Sequence, residues 1–460
     1  MRLSEPIETP GYFWLPNAPD QKLGGMLRVS ETGKTTVDVF GAFGGPGELL
    51  ANPSVKRPRI LGVTENDRVT LDDCLYTAKT MRFGTRLSTS TIHAGTLLRG
   101  AHYDEGKTIT FSRLQFSVDG LDEWLHISGF RVDHRPDEGR ATISFENPKD
   151  IICDLSDGMA LTFGFHGKIL NLPLLTEATI TQKAFITLTS KVLRPLDQFV
   201  DIVRKLNNFL CFVIDETVSI DSLTGYSSEV VHTVRDNDQY ELPMPIYYES
   251  LPSAHEKPKI TNHHMLLGYY RIVDSLTGIL RAWLNHYEVL GPAFDLYFAS
   301  KRIQYLDTRF LLLAQAIETL HRRNSPGTFM PDGQFQELIQ TIMKACPREH
   351  EKWLTEKVRY ANELSLRKRL QQMLDPFRSY YGDPKKIDSL ISRVVDTRNY
   401  LTHYDERLVG RALQGKALWD LCGKLEGVLQ LHFLRLMGLD ETVVSTISAD
   451  SYSLREKLQI

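Results

Sequence analysis

The sequence predicts an α+β protein in which a β-rich N-terminal domain is followed by an all-α helical bundle. Three observations lead to this fold class. Segments that alternate apolar and polar residues, with the period of half-buried strands, fill about the first 190 positions. From residue 263 onward apolar residues recur at helical spacing instead. Between these regions LPSAHEKPKITN (251–262) is polar, contains two prolines and has no apolar period, as expected of a linker. We therefore expect domains at 1–255 and 256–460.

The N-terminal domain is predicted to be built from short strands that Gly, Pro, Asn and Asp residues separate. The strand-like segments are GYFWLP, GMLRVS, TTVDVFGAF, RVTLDDC, TITFSRLQFSVDG, WLHISGFRVD, ATISFEN, MALTFGF and AFITLTS. From about Pro195 the period changes to that of a helix. One face of this helix carries Leu196, Phe199, Val200, Val203 and Leu206. One helix should therefore close the domain.

The C-terminal domain is predicted to contain only helices. Breaks fall at proline and glycine positions such as Gly291-Pro292 and Gly382-Asp383-Pro384. The segments that support a helix are 263–290, 293–323, 334–345, 349–361, 365–381, 384–405 and 411–437. Seven such segments without strand-like alternation indicate a helical bundle.

The composition is that of an ordinary globular protein. Hydrophobic residues make up 42% and charged residues 24% of the 460 positions, which excludes a mainly disordered, collagen-like or membrane-embedded chain. No window approaches 18 apolar residues, and the start MRLSEPIETP lacks the basic and apolar regions of a signal peptide. We expect a cytoplasmic protein that does not associate with a membrane.

The cysteines and the distribution of charge limit the possible classes of function further. The five cysteines are an odd number and form no CxxC pair, which argues against a disulfide framework and against a structural zinc. Residues 261–460 contain 27 Lys and Arg against 23 Asp and Glu, or +4. Subtraction from the totals of 54 and 57 leaves −7 for residues 1–260. The positive C-terminal half is compatible with a polyanionic partner without requiring one.

The common cofactor and metal motifs are missing from the sequence. ETGKTT (31–36) resembles the end of a phosphate-binding loop, but Arg28 stands where that loop requires a glycine, so we interpret the segment as a hairpin turn. There is no GxGxxG after a strand, no GxSxG and no HExxH. We expect no cofactor and no metal site.

The segment RNYLTH (398–403) carries the residues best suited to chemistry. The apolar stripe of the preceding helix reaches Arg398 at its next step, and a core-facing arginine needs a partner. Asn399 and His403 are four residues apart and therefore share a helix face. A guanidinium, an amide and an imidazole together suit a phosphodiester, and RNA carries its own 2′-hydroxyl nucleophile, so metal-free RNA cleavage fits this set.

Spacing alone leaves other interpretations of RNYLTH open. An arginine followed a few residues later by a histidine also occurs as Arg86 with His93 and as Arg281 with His286. The first pair lies among predicted strands, and the residue after Arg281 is Ala282, which offers no polar group. A capped and hydrogen-bonded helix end without catalytic function would also explain RNYLTH.

The blocks around RNYLTH resemble the HEPN domain of ApeA-type bacterial anti-phage proteins. These blocks are FLLLAQAIETLHRR (310–323), NELSLRKRL (362–370), VVDTRNYLTHYDE and LWDLCGKLEGVLQLHFLRLMGL (418–439). In the N-terminal half GYFWLP, ILGVTENDRVTLDDC (60–74) and FSRLQFSVDGLDEWL (111–125) resemble the β-rich domain that precedes HEPN in that family. The resemblance therefore extends over nearly the whole chain.

The resemblance implies an endoribonuclease with a composite active site. HEPN ribonucleases use an arginine, a following polar residue and a histidine, which correspond here to Arg398, Asn399 and His403. In the family two protomers bring these motifs together, so a homodimer or higher homo-oligomer is implied. In the implied reaction the 2′-hydroxyl of RNA attacks the adjacent phosphorus, and the products are a 2′,3′-cyclic phosphate and a 5′-hydroxyl. The resemblance implies that His403 is the general acid or base, that Arg398 stabilises charge on the phosphoryl oxygens and that Asn399 orients one of these oxygens.

The resemblance also implies a role in defence. ApeA-type proteins act by abortive infection through RNA cleavage, with tRNA as the expected substrate and a phage-derived protein as an activating partner. The domain at 1–255 would then be a sensing or regulatory domain. The alternative is a non-catalytic HEPN-like scaffold that dimerises or binds RNA, and substitution of His403 separates the two hypotheses.

Three other groups of residues have a functional and a structural interpretation. Glu318 is expected to be an exposed helix charge rather than a support of the motif helix. Tyr12, Phe13 and Trp14 are expected to pack in the core of a first strand rather than to stack on bases. A phosphate-facing ridge and an ordinary solvated helix face both remain open for Lys344, Arg348, Lys352, Lys357, Arg359, Arg367, Lys368 and Arg369.

Overall fold

A computed structural model describes residues 1–44, 56–65, 67–81, 88–169, 178–233, 239–250, 253–254, 256–261, 263–325 and 327–458. The chain divides into two compact units, Met1–Arg281 and Ala282–Ile460. The first is rich in strands and the second is helical, which confirms the predicted α+β fold class.

The division of the chain differs from the predicted boundary at residue 255, which lies inside the first unit. The apolar residues after the predicted linker explain this difference. The amide of Leu267 donates to the carbonyl of Val213 at 2.9 Å, and the indole Nε1 of Trp124 donates to the carbonyl of Leu267 at 2.8 Å. Leu266 and Leu267 are both buried, so the chain returns to the first core after the polar stretch.

The strands of the first unit have the following bounds in the described part of the chain. They are β1 (Ile7–Trp14), β2 (Leu23–Val29), β3 (Thr35–Phe40), β4 (Lys56–Thr64), β5 (Arg68–Met81), β6 (Ser88–Arg99), β7 (Thr110–Val118), β8 (Phe130–Arg135), β9 (Arg140–Phe145), β10 (Ile151–Asp154), β11 (Met159–Ile169), β12 (Ile180–Pro195), β13 (Ile220–Tyr226), β14 (Val231–Thr233), β15 (Gln239–Glu241) and β16 (Met244–Tyr247). Two helices accompany them, α1 (Leu121–Leu125) and α2 (Leu196–Ile214).

Six antiparallel strands close into a barrel. Their order is β6-β3-β2-β1-β4-β5, and β5 pairs again with β6. Closure removes exposed sheet edges, and alternate residues point inward to form the core, which includes Phe13, Leu27, Val37, Ile60, Leu71 and Ile92. The segment ETGKTT connects β2 to β3, and Gly33 has a φ of +83°, so the predicted hairpin turn is confirmed.

A second set of strands continues from the barrel. Its order is β10-β11-β12-β7-β13-β16, and β16 also pairs with β6. Helix α2 contacts β7 and β12 and buries Phe199, Val203 and Leu206, three members of the stripe that the sequence predicts. Trp124 of α1 packs edge-on against Phe209 at a ring distance of 5.8 Å. The helix therefore lies on a sheet, as its one apolar face requires. The prediction that one helix closes the domain is wrong, because strands β13 to β16 follow α2 in the same unit.

The helices of the C-terminal region have the following bounds. They are α3 (Leu276–Arg302), α4 (Leu306–Asn324), α5 (Asp332–Lys344), α6 (Glu351–Val358), α7 (Leu366–Leu374), α8 (Arg378–Tyr381), α9 (Pro384–His403), α10 (Gly415–Leu436), α11 (Glu441–Asp450) and α12 (Tyr452–Leu458). Within the described residues no helix combines the length and the apolar character that a bilayer crossing needs.

Several details of the helical prediction are wrong. The helix predicted from residue 263 begins at Leu276, and the segment 293–323 is divided between α3, which ends at Arg302, and α4, which begins at Leu306. The break expected at Gly291-Pro292 is absent, because α3 continues through Pro292. A proline inside a helix removes one hydrogen bond, but Leu290, Ala293 and Phe294 around it are buried, and their packing keeps the helix continuous. Helices α11 and α12 were not predicted, because both are short and have few buried residues. Three residues of α11 are buried, and in α12 the buried residues are Leu454 and Leu458.

A buried carboxylate joins four helices of the second unit. Glu426 of α10 is 1% exposed, and its oxygens contact Arg309 Nη2 at 2.7 Å, Lys457 Nζ at 2.8 Å and Lys301 Nζ at 3.2 Å. Burial by itself would raise the pKa of the Glu426 carboxyl, but the three cations outweigh burial and hold this pKa well below the usual range. The carboxylate is therefore charged at neutral pH and ties α3, α4 and α12 to α10.

Glu426→Gln is expected to lower the free energy of unfolding by about 3–5 kcal/mol at pH 7, because three cations lose their buried counter-charge. The pKa of Glu426 is lower in the folded than in the unfolded state. Its contribution to stability is therefore complete above the unfolded pKa of about 4.3 and is lost as the pH falls through the folded value. Urea unfolding of the full chain should show the difference between wild type and variant narrowing below about pH 4.

The exposed Glu456 on α12 provides the matched control. Glu456→Gln should change the free energy of unfolding by less than about 0.5 kcal/mol. A control that loses as much stability as Glu426→Gln, or a difference that widens in acid, would contradict this account of the buried cluster.

Candidate active site

Helix α9 carries the segment RNYLTH at its C-terminal end. The helix begins where the Asp383 carboxylate accepts the amide of Lys386 at 3.0 Å and Pro384 occupies the first turn. It ends after His403, because Tyr404 adopts a left-handed conformation with a φ of 49° and donates its amide to the carbonyl of Tyr400 at 2.6 Å. His403 is therefore the last helical residue.

The structure brings Arg398 and Asn399 together. Arg398 Nη1 donates a hydrogen bond of 3.3 Å to Asn399 Oδ1, and both side chains are partly buried. The hydrogen-bond partner that we expected for the core-facing Arg398 is therefore Asn399, the next residue in the chain. His403 is exposed, and its imidazole has no hydrogen-bond partner among the described residues. Within one protomer the three candidate residues do not form one connected set.

The other pairs with a similar spacing give no comparable site. Arg86 lies outside the described residues. Arg281 Nε donates to the carbonyl of Asp154 at 2.7 Å, so this guanidinium already has a structural partner. Glu318 accepts two hydrogen bonds from Arg322 on its own helix, at 3.0 and 3.1 Å, so its carboxylate is part of an ion pair within α4.

Charged and aromatic side chains surround the end of α9. Asp405 accepts from Arg407 Nε at 2.9 Å and from Nη2 at 2.7 Å. Hydrogen bonds from Arg407 are the main effect that lowers the pKa of the Asp405 carboxyl to about 2, and His403 contributes a smaller effect in the same direction. The rings of Tyr400 and Tyr404 meet edge to face at 5.7 Å. Among the described residues no three His, Cys, Asp or Glu side chains are grouped as a metal site would require.

A buried hydroxyl fixes the chain that follows the motif. Thr397 is fully buried, and its Oγ1 accepts the amide of Leu413 at 3.0 Å. Thr397 directly precedes Arg398, so this bond ties the segment 404–414 to the same turn of α9 that carries the guanidinium. The segment that frames the exposed histidine is therefore anchored.

A groove with unpaired cations lies between α9 and α10. Its cavity of about 300 Å³ is lined by Lys386 and Arg393 of α9 and by Lys424 and Asp420 of α10, which together we call the cationic groove. Within the part of the chain that the structure describes, none of these cations has a carboxylate within 4.0 Å. Burial is the main effect that lowers the pKa of the Lys424 ammonium, and the charge of Arg393 lowers this pKa further, whereas Asp420 raises it. The groove therefore holds uncompensated positive charge.

The cationic groove and the motif share a helix. Arg393 precedes Arg398 by five residues, which corresponds to about 7.5 Å along the helix axis. Five residues also turn by about 140° around the axis, so Arg393 and Arg398 lie on different faces of α9.

A second polar cluster was missed in the sequence. Arg369 of α7 is 1% exposed, donates from Nε to the carbonyl of Leu364 at 3.0 Å and lies 3.1 Å from His321 Nδ1. His321 Nε2 lies 2.6 Å from Gln372 Oε1, which assigns the proton to Nε2. Burial chiefly, and then Arg369, lower the pKa of the His321 imidazole. Arg369 therefore supports the fold and is not part of a phosphate-facing ridge.

The sequence contains a signal for this cluster. Arg369 is three residues after Leu366 and four before the buried Met373, so it lies on the apolar face of α7. An arginine on an apolar helix face indicates a buried partner, and the histidine of AIETLHRR is that partner.

Two family models match the chain. The model described as ApeA N-terminal domain 1 matches residues 8–283, which is more than half of the chain. The model described as Apea-like HEPN matches residues 311–443. No curated protein and no solved structure matches the chain.

Thr397→Val is expected to speed the amide hydrogen exchange of Leu413 at least about tenfold, because the isosteric side chain no longer accepts that amide. Exchange measured by mass spectrometry or NMR on the full chain tests this. Thr402→Val is the matched control, since Thr402 Oγ1 is exposed and bonds only the carbonyl of Arg398. Equal exchange rates at Leu413 in all three proteins would show that Thr397 does not anchor the segment.

Proposed function

This chain belongs to the ApeA family and ends in an Apea-like HEPN domain, and from that membership we propose that it is an anti-phage endoribonuclease. Its action would be abortive infection, in which cleavage of RNA, with tRNA as the expected substrate, stops growth of the infected cell. A phage-derived protein would supply the activating signal. The observation that carries this proposal is the pairing of Arg398 with Asn399 beside an exposed His403 at one helix end.

The active site is proposed to be composite. His403 is exposed and has no hydrogen-bond partner among the described residues, so it is free to face a second protomer. Arg398 and Asn399 are partly buried and held against one another, so they keep a fixed position on the helix. Two copies of the helix end, brought face to face, would place the two histidines and two guanidinium groups around one phosphodiester.

The proposed reaction needs only these side chains and the RNA. The 2′-oxygen attacks the adjacent phosphorus while one imidazole accepts the hydroxyl proton. The bond from phosphorus to the 5′-oxygen breaks, and an imidazolium donates a proton to that oxygen. The products are a 2′,3′-cyclic phosphate and a 5′-hydroxyl. Arg398 stabilises the charge that develops on the phosphoryl oxygens, and Asn399 orients one of them.

The cationic groove supports RNA as the substrate. Lys386, Arg393 and Lys424 lack carboxylate partners within salt-bridge distance in the described structure, and they lie on the motif helix and its neighbour. Phosphate groups would neutralise them and remove the repulsion between Arg393 and Lys424. Such contacts position an RNA strand without reading its sequence.

The alternative is a non-catalytic HEPN-like scaffold that dimerises or binds RNA. The separation of His403 from the Arg398–Asn399 pair within one protomer fits the scaffold as well, since a helix end without catalytic function would look the same. A scaffold would tolerate the loss of His403, whereas the nuclease would not.

The proposal predicts RNA ends that depend on His403. Phage-infected cells that express the full chain should gain 5′-hydroxyl and 2′,3′-cyclic phosphate ends, expected mainly in tRNA. His403→Ala and Arg398→Ala should each reduce these ends at least about 100-fold, because general acid and base catalysis and charge stabilisation each contribute on that scale. The measurement is sequencing of RNA ends with chemistry specific for both termini.

Thr402→Ala is the control for this experiment, because Thr402 is exposed on the same turn and lies outside the proposed catalytic set. It should cut RNA like the wild type. His403 is exposed, so the thermal unfolding midpoint should not change on its substitution. Protection of the culture by His403→Ala with unchanged RNA ends would remove the catalytic proposal and leave the scaffold.

The cationic groove predicts a measurable change in the salt dependence of RNA binding. In a His403→Ala background, the further changes Arg393→Ala and Lys424→Ala should weaken binding of a single-stranded RNA. They should also reduce the slope of log affinity against log salt by about 1.4, which is two contacts at about 0.7 each. Fluorescence anisotropy at several salt concentrations gives the slope.

Lys149→Ala with Lys168→Ala is the control pair, since both lysines are exposed in the other unit. This pair should leave the slope within about 0.3 of the parent protein. An equal reduction in the control, or none in the groove variant, would exclude the groove as a phosphate site.

A further inference from the structure

Residues 328–363 form a helical extension, which we call the arm. It consists of α5, a short 3₁₀ turn at Arg348–His350 and α6. No residue from 331 to 361 is buried. A helix in a folded protein is normally stabilised by packing an apolar face, so two consecutive helices without a buried residue are unusual.

The base of the arm is held firmly. Thr328 forms an antiparallel bridge with Glu363, and the amide of Phe329 donates to the carbonyl of Asn362 at 2.7 Å. The Asn362 side chain accepts the amide of Met330 at 3.1 Å and donates to the carbonyl of Met330 at 3.1 Å and to Asp332 Oδ1 at 2.9 Å. The arm therefore starts from a fixed position rather than from a free loop.

The arm exposes large apolar side chains. Leu338, Ile342 and Trp353 are 43%, 40% and 59% exposed, and Phe329 and Tyr360 near its base are 73% and 63% exposed. Phe335 and Leu354 of the same two helices are partly buried. Five large exposed apolar side chains within one short segment indicate a contact with another molecule.

The charge of the arm selects the kind of partner. Residues 328–363 contain five Lys and Arg (Lys344, Arg348, Lys352, Lys357 and Arg359) and six Asp and Glu (Asp332, Glu337, Glu349, Glu351, Glu356 and Glu363), or −1. Glu363 forms its ion pair with Arg322 outside the arm. A surface with almost no net charge does not attract RNA, but it can meet an identical surface without strong repulsion. Lys386, Arg393 and Lys424 of the same unit line a different surface, the cationic groove.

We propose that the arm is the contact surface for a second copy of this chain. The three aromatic side chains would bury roughly 300–500 Å² at the stated exposures, since each covers about 150–250 Å² when fully buried. With Leu338 and Ile342 this is more than half of the ~800 Å² per partner in a stable interface. The inference rests on the proposed function in one respect, the need for two copies at the composite site.

The arm is also connected to the motif helix. The chain leaves the arm at Glu363, whose Oε2 contacts Arg322 Nη1 of α4 at 2.6 Å, and it enters α7 at Leu366. From α7, Arg367 Nη2 donates to Ser392 Oγ of α9 at 3.0 Å. Pairing of two arms would therefore constrain the position of the two α9 helices.

The test is the oligomeric state of the full chain. Leu338→Ser, Ile342→Ser and Trp353→Ser together should raise the dimer dissociation constant at least 100-fold in multi-angle light scattering and sedimentation. The wild-type dimer should persist in 1 M salt, because the contact is apolar and has almost no net charge. Tyr305→Ser with Val289→Ser removes two exposed apolar side chains of the same unit outside the arm and should leave the dimer intact. All three substituted positions of the arm are exposed, so circular dichroism should report an unchanged helix content.

The outcomes separate this inference from the proposed function. A wild-type monomer at tens of micromolar, an arm variant that remains dimeric, or a control pair that dissociates as readily would each overturn the arm as the interface. Loss of the dimer in the arm variant, with no His403-dependent RNA cleavage by the wild type in phage-infected cells that it protects, would uphold the arm and exclude the nuclease. Cleavage that depends on His403, together with a dimer that the arm variant retains, would uphold the nuclease and exclude the arm.

Discussion

The helical unit depends on one buried carboxylate. Glu426 accepts contacts from Lys301, Arg309 and Lys457, three cations on three other helices. An unpaired charge at such a position would cost several kcal/mol, so the helices that supply the cations have little freedom to move relative to α10. Helix α4, one of the three, also contacts α9 and α7. The helix that carries RNYLTH is therefore packed on a scaffold that a buried charge cluster fixes.

The last turn of α9 differs in character from the rest of that helix. Ile387, Leu390, Ile391 and Val394 are buried, and Thr397 is fully enclosed, yet six residues later His403 is exposed. The change occurs across Arg398 and Asn399, which are partly buried. A rigid guanidinium and amide next to an accessible imidazole suit a site whose second half arrives with another molecule. A site complete within one chain would hold its histidine by a hydrogen bond to a second group, as catalytic imidazoles usually are held.

The periodic parts of the structure could be predicted from the sequence, and the parts decided by distant contacts could not. Alternation identifies four strands of the barrel, β1, β2, β3 and β5, and the apolar stripe identifies α2, because both patterns are local, whereas β4 and β6 were not predicted. The continuity of α3 through Pro292 depends on buried neighbours such as Phe294, which no local rule reports. The extent of the first unit beyond residue 255 depends on Leu267 bonding to Val213 and Trp124. Arg398 and Asn399 were found from their chemistry and a family resemblance. The place of Arg369 on the apolar face of α7 signals its burial, but Arg369 was grouped with its exposed neighbours Arg367 and Lys368 and its role was missed.

The helical unit keeps two kinds of surface apart. The arm has almost no net charge and exposes large apolar side chains, which suits contact with protein, whereas the cationic groove is polar and positively charged, which suits phosphate. The groove lies on α9 itself, and the arm is linked to α9 through Glu363 and Arg322 at its base and through Arg367 and Ser392 between α7 and α9. If one surface had to bind both a second chain and RNA, each ligand would compete with the other. Because the surfaces are separate, the proposed contact between two copies would persist while RNA enters and leaves the proposed composite site.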